Sequence, residues 1–181
     1  MSSSEPPTTA EIARLLLDAG AVRFGEFTLA SGQRSDVYVD VKKAWTDPVR
    51  LERLATALAR HVGDAQRLAG MELGAVPLVV ATALRVRLPF VVIRKTAKEH
   101  GTRQRYEGDV PPGSKVLLIE DVSTTGGSAV ESIGVLRAVG ARVDRALVVV
   151  DREQGAREKL ASHGVELTSL ATLSEVRGAR A

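Results

Sequence analysis

Two short runs constrain this chain more than anything else in it: Val116-Leu117-Leu118-Ile119 and Leu147-Val148-Val149-Val150 are apolar at every position. A strand with one wet face alternates apolar and polar residues, so unbroken apolar runs mean burial on both faces. That is the situation of inner strands in a mainly parallel sheet covered by helices. Parallel neighbours need a long crossover, usually a helix. The helical pattern over Ala129–Val139, stopped by Gly140, lies between the two runs and supplies one.

The rest of the chain agrees with this frame. Thr8-Thr9-Ala10-Glu11 has capping-box spacing, and Ile12, Leu15, Leu16 and Ala19 then follow a helical period up to Gly20. Phe24–Leu29 and Asp36–Val41 read as two strands around a turn at Ser31-Gly32-Gln33. In the second, Val37, Val39 and Val41 alternate with Asp36, Tyr38 and Asp40, the mark of a half-buried strand. Asp47-Pro48 opens a helix as N-cap and first residue, with Leu51, Leu54, Ala55, Leu58 and Val62 as its buried stripe.

Further on, strands are expected at Arg67–Met71 and Phe90–Ile93, and helices around Leu78–Leu84 and Ala156–His163. A last strand is expected at Val165–Leu173. The expectation is one α/β domain over residues 11–175 with a helix-hairpin addition at its N-terminal end. A Ser/Pro-rich, disordered leader would cover residues 1–10, and a short tail residues 176–181. Only Thr96–Pro112 lacks periodicity, and so long an irregular stretch in a compact domain is usually functional.

Composition removes several classes of chemistry. There is no cysteine, hence no disulfide, thiolate metal site or Cys nucleophile, which suits a reducing cytoplasm. His61, His100 and His163 are far apart and lack metal-ligand spacing. A net charge of +3 gives a slight preference for anionic ligands. No apolar run is long enough for a membrane span, and the N-terminus lacks the basic start and apolar core of a signal peptide.

The first apolar run leads directly into the richest segment, Glu120-Asp121-Val122-Ser123-Thr124-Thr125-Gly126-Gly127-Ser128. In open parallel sheets, ligands bind beyond the carboxyl ends of the strands. Here two carboxylates stand at such an end, followed by a hydroxyl- and glycine-rich loop entering a helix. Backbone N–H groups, hydroxyls and the helix N-terminus can wrap a phosphate. A Walker A loop would need Lys where Ser128 stands, and the G-x-G-x-x-G of a dinucleotide fold is absent. The acid pair suits two neighbouring ribose hydroxyls instead; caps alone would explain Ser and Thr but not the adjacent acids.

A second cluster, Arg94-Lys95-Thr96-Ala97-Lys98-Glu99-His100-Gly101 with Arg103 and Arg105, crowds cations into twelve residues. By itself it is equally a solvated basic stretch or a nucleic-acid patch. Beside a phosphate loop it reads as a cationic lid over a pyrophosphate.

Glu120–Ser128 resembles the motif that binds phosphoribosyl pyrophosphate (PRPP) in the type I phosphoribosyltransferases. Arg94–Gly101 resembles the R-K-x-x-K-x-H-G loop of the orotate phosphoribosyltransferases. Glu107-Gly108, Phe24–Leu29 with Ser31-Gly32, and Asp151-Arg152 agree with the same family, over about Leu15 to Leu173. The resemblance implies transfer of the phosphoribosyl group from PRPP to orotate, with Mg²⁺ arriving on PRPP and held mainly by substrate oxygens and water. Arg94, Lys95, Lys98 and His100 would bind pyrophosphate, with Lys98 and Asp121 catalytic. Glu120, Asp121, Val122, Ser123, Thr124, Thr125, Gly126, Gly127 and Ser128 would hold PRPP, and Thr124 and Arg152 orotate. Gly70–Gly74 would be a backbone loop near the pyrophosphate.

The resemblance further implies a homodimer whose lids reach into each other's sites, with no nucleic-acid or membrane partner. Longer bacterial relatives carry lysines where this chain has Ala30 and Leu73; Lys42 or Lys43 could replace that charge, and an exposed strand end explains them equally well. A purine-specific relative and a PRPP-sensing regulator are the alternatives. The lid and Arg152 argue against the first, and the lack of room for a DNA-binding module before Phe24 against the second.

Overall fold

The structure is a computed structural model that describes residues 5–28, 34–96 and 104–180. In chain order its elements are α1 (Thr9–Asp18), β1 (Val22–Thr28), β2 (Arg34–Val39), α2 (Lys42–Trp45), α3 (Pro48–Ala59), β3 (Arg67–Met71), α4 (Val76–Val86) and β4 (Phe90–Ile93). There follow β5 (Tyr106–Glu107), β6 (Lys115–Ser123), α5 (Gly127–Ala138), β7 (Arg142–Asp151), α6 (Ala156–Ala161), β8 (Glu166–Thr172) and α7 (Leu173–Gly178).

The six-stranded sheet has the order β5-β4-β3-β6-β7-β8. All pairings are parallel except that of β4 with the two-residue β5. The two apolar runs lie side by side, Leu118 opposite Ala146 and Ile119 opposite Leu147. Successive strand residues point to opposite faces, and the core divides accordingly. Leu117, Ile119, Leu147 and Val149 join one cluster with Leu16 of α1, Leu54 and Leu58 of α3, and Leu78 of α4. Val116, Leu118, Ala146 and Val148 join the other with Ile133 and Leu136 of α5 and Leu160 of α6. Each fully buried Leu, Ile or Val contributes about 1.5–3 kcal/mol, and helices on both faces are what unbroken apolar strands require.

Local signals set the helix starts. Thr8 and Glu11 form the expected capping box, with the Thr8 N–H donating to Glu11 Oε2 at 2.8 Å. Asp47 Oδ1 accepts the Arg50 N–H at 2.9 Å, with Pro48 at the first position of α3. The same chemistry corrects the expected tail from residue 176. Thr172 and Glu175 make a second capping box, so the last strand ends at Thr172 and α7 runs to Gly178, with Val176 wholly buried.

Strands β1 and β2 form a separate antiparallel hairpin with an irregular register between Phe24 and Phe27. α7 ties it to the body: Arg177 bonds Asp36 at 2.9 Å, and Arg177 and Arg180 lie over the Phe24 ring at 5.0 and 4.6 Å. The expected turn at Ser31-Gly32-Gln33 lies outside the described residues.

Candidate active site

Every feature of the site grows from the end of β6. Because the strand is interior, its last residues are carried into the middle of the sheet's carboxyl edge. There Glu120, Asp121 and Ser128 border a cavity of about 410 Å³, with Met71 at the end of β3, Glu72–Ala75 of the β3–α4 loop, Lys95 and Lys42 on its other walls.

The acid pair is held rather than free. Asp121 Oδ1 accepts the Val122 N–H at 2.9 Å, and Ser128 Oγ donates to Glu120 Oε1 at 2.9 Å. Burial pushes the Glu120 carboxyl up to about 7; the Ser128 hydrogen bond opposes this and the neighbouring Asp121 adds to it. Asp121 is also raised by burial, against the Val122 N–H and the Lys42 ammonium, which both favour its charged form. Near neutral pH Glu120 can therefore accept or donate, and beside Asp121 it makes a suitable reception for two adjacent hydroxyls.

Gly74 shows how tightly the two loops meet. A Cβ there would lie 2.3 Å from Asp121 Oδ2, so no other residue lets the β3–α4 loop approach the acid this closely. Gly126, at φ 75°, turns the phosphate loop into α5, and a Cβ there would meet Leu160 Cδ1 at 2.7 Å. Between them Ser123 is buried, its Oγ without a hydrogen-bond partner among the described residues. Val122 packs its side chain against the core, leaving only its backbone to the loop. Thr124, Thr125, Gly127 and Ser128 are at least partly exposed along the loop and the first turn of α5.

Arg152 follows β7, where its N–H donates to Ser123 O at 2.9 Å. The buried Asp151 shapes that turn, accepting from the Glu153 N–H at 2.9 Å and pairing with Arg157 at 3.4 Å. Arg152 is thus set beside the phosphate loop with its Nε unpartnered among the described residues. Across from it, Asp36 of the hairpin is held below the usual carboxylate range by its bond to Arg177, with a weaker pull from Arg152.

The basic cluster divides into two groups. Lys95 lines the cavity, its N–H donating to Glu72 Oε1 at 3.0 Å. Arg94 instead pairs with Glu107 at 3.3 Å and is absent from the cavity wall. Arg105 is a strut, donating to the carbonyls of Arg94 at 3.2 Å and Lys95 at 2.8 Å and to Glu131 of α5 at 2.6 Å. Lys98 and His100 lie outside the described residues. Glu72 is a lining residue that sequence reasoning did not assign, and of the two lysines it left open, Lys42 lines the cavity and Lys43 does not. Glu72 stands inside the Gly70–Gly74 segment, where only the backbone was expected to matter.

Comparison with known proteins agrees with this geometry. The family model of the phosphoribosyl transferase domain matches residues 50–170. The orotate phosphoribosyltransferase of Natronomonas pharaonis is 52% identical over 166 residues, 92% of this chain and 95% of that protein. The crystal structure of orotate phosphoribosyltransferase from Aeropyrum pernix superposes with a TM-score of 0.83 at 39% identity, covering 92% of this chain and 96% of that one. The enzyme from Mycobacterium tuberculosis, in a crystal structure with PRPP, has a TM-score of 0.77 at 29% identity, covering 94% and 99%. A hydroxyl- and glycine-rich loop behind paired acids on a parallel sheet agrees with relatives this similar along nearly the whole chain, which place this protein in the orotate phosphoribosyltransferase family.

Proposed function

We infer that the chain transfers the phosphoribosyl group of PRPP to orotate, giving orotidine 5′-monophosphate and pyrophosphate. The observation that carries this is the acid pair at the end of β6, which joins the phosphate loop to the cavity bounded by Gly74 and Lys95. Glu120 and Asp121 accept the ribose hydroxyls, while the backbone and hydroxyls of Ser123–Ser128 hold the 5′-phosphate at the start of α5. That directs the reacting ribose carbon and its diphosphate toward the β3–α4 loop. As the bond to diphosphate breaks and the bond to an orotate nitrogen forms, negative charge grows on the leaving group. Lys95 on the cavity wall, with Lys98, His100 and Arg94 as the family resemblance implies, would act where that charge develops. Thr124 and the planar fork of Arg152 take orotate and its carboxylate on the hairpin side.

Mg²⁺ fits this cavity. Among the described residues no cluster of three or more acidic or histidine side chains could cage a metal, but the wall carries Glu72, Glu120 and Asp121. Mg²⁺ is usually held by one or two carboxylates, substrate phosphates and water. The ion would be held mainly by substrate oxygens and water, with at most one of these carboxylates, and would neutralise charge on the diphosphate.

We further propose a homodimer. The outer side of α4 offers an apolar face, with Leu84 76% exposed and Leu73 63% exposed next to the partly covered Val76, Pro77 and Val80. Leu73 also lines the cavity, so a second copy on this face would border the site. No helix among the described residues is long and apolar enough to cross a membrane. A chain without cysteine suits a reducing compartment, and we assign it to the cytoplasm.

The test is loss of orotate absorbance in the presence of PRPP and Mg²⁺, with purine bases giving none. No turnover of orotate by the folded protein would overturn the reading. Within it, Arg152→Ala should raise the orotate KM roughly tenfold or more, the loss of a charged hydrogen bond, and leave the PRPP KM within about twofold. Equal effects on both constants would make Arg152 a structural residue.

A further inference from the structure

Lys42 belongs neither to the acid pair nor to the phosphate loop, yet its side chain lines the cavity with Asp121. Its backbone is fixed. Val41 and Ala44 on either side are wholly buried, and the turn of α2 closes on Asp40 and Val41 through the Lys43 and Ala44 N–H groups at 3.2 and 2.9 Å. The ammonium rests 2.7 Å from Asp40 Oδ1, a buried oxygen that makes no other described contact. Asp40 is itself anchored, its N–H donating to Ala21 O at 2.7 Å.

As a stabilising device this ion pair has little to offer. The Lys42 side chain is 51% exposed, exposed pairs are screened by water, and α2 is already held by its buried residues. An ammonium has three donors, so Asp40 can orient it and still leave donors for a ligand. Asp40 foremost, with Asp121 adding to it, holds the Lys42 pKa above its ordinary value, which keeps the group charged. Apart from Lys95, the ionisable side chains on the rest of the described wall are the carboxylates of Glu72, Glu120 and Asp121. An anion entering there needs fixed positive charge on the side away from the phosphate loop.

We propose that Lys42 is a substrate-binding residue of this site, donating from its ammonium to the diphosphate of PRPP, and that Asp40 is the positioning residue that aims it. The inference rests on the transfer reaction inferred above and adds a residue to its diphosphate side.

Lys42→Met keeps the stem and removes the charge, Lys42→Arg keeps a cation, and Lys43→Met removes the adjacent lysine, which is absent from the cavity wall. Lys42→Met should raise the PRPP KM about tenfold or more and weaken inhibition by inorganic pyrophosphate in parallel, with the orotate KM within about twofold. Lys42→Arg should recover most of the loss, and Lys43→Met should behave as wild type. If Lys42→Met does not fold, Lys42→Gln is read in the same assays. A folded, charge-free variant with unchanged PRPP KM and pyrophosphate inhibition would overturn the assignment, as would equal effects from Lys43→Met. The wild type in the same series separates the two readings: its failure to use orotate defeats the reaction, whereas normal wild-type turnover with an unaffected Lys42→Met defeats only the role of Lys42.

Discussion

Glu120→Gln is expected to give a protein that is more heat-stable than wild type at pH 8 and has lost most of its turnover. The buried carboxyl titrates near 7 in the fold against an ordinary value of 4.5. Between those values the folded chain binds more proton than the unfolded one, so stability falls as pH rises through that window and is flat above it. The gap corresponds to a cost on the order of 3 kcal/mol above pH 7, as an upper bound that relaxation and water would reduce. A neutral amide avoids the cost and can still accept from Ser128 Oγ. The melting temperature at pH 8 should rise by roughly 5–10 °C, and the difference from wild type should shrink toward zero as pH approaches 4.5. Turnover falls because the ribose loses a charged acceptor. A stability difference independent of pH would mean that the carboxylate is not under strain in the folded protein.

Mixing two nearly inactive variants, Lys98→Ala and Asp121→Ala, should restore activity. If each lid serves the partner's site while each Asp121 serves its own, a mixed dimer has one site with an intact pocket and an intact lid, and one site broken twice. Random reassociation of equal amounts makes about half the dimers mixed, because a two-fold interface treats both chains alike. Recovery should therefore reach about a quarter of wild-type activity. A lid acting on its own chain permits no rescue, since every site would carry one lesion. Proven subunit exchange, for example by mass spectrometry of differently labelled chains, without recovered turnover would end the shared-site model.

The sheet and the acid pair were readable in the sequence because burial on both faces leaves no freedom in residue type. Val116–Ile119 and Leu147–Val150 had to be inner strands, and whatever followed them had to stand at the ligand edge. Capping chemistry was equally direct at Thr8 and Asp47. Thr172-Leu173-Ser174-Glu175 carries the same signal, but the apolar Leu170, Ala171 and Leu173 around it read as a continuing strand. α2 was hidden for another reason: a four-residue turn has no period to detect. Nor does a two-residue strand such as β5, whose pairing depends on β4 being beside it. The division of the basic cluster was beyond sequence altogether. Which of Arg94, Lys95 and Arg105 faces the cavity depends on Glu107 and Glu131, and on a strand edge that exists only in the folded chain. Lys42 reaches the cavity through the same kind of long-range arrangement, its short helix set beside Asp121 and the β3–α4 loop only in the folded chain.

The interior position of β6 has a consequence for how the protein comes apart. Its first half is hydrogen-bonded on both sides, to β3 through Val116–Leu118 and to β7 through Leu117–Glu120, and both its faces are buried. Amide protons in such a strand exchange with solvent only when most of the molecule opens, whereas loops and edges exchange through small local fluctuations. Leu118 is the last residue paired on both sides, and Glu120 and Asp121 follow within three residues on the stretch that stays beside β7 as far as Ser123. The acids proposed to hold ribose thus stand just beyond the part of the protein expected to open last.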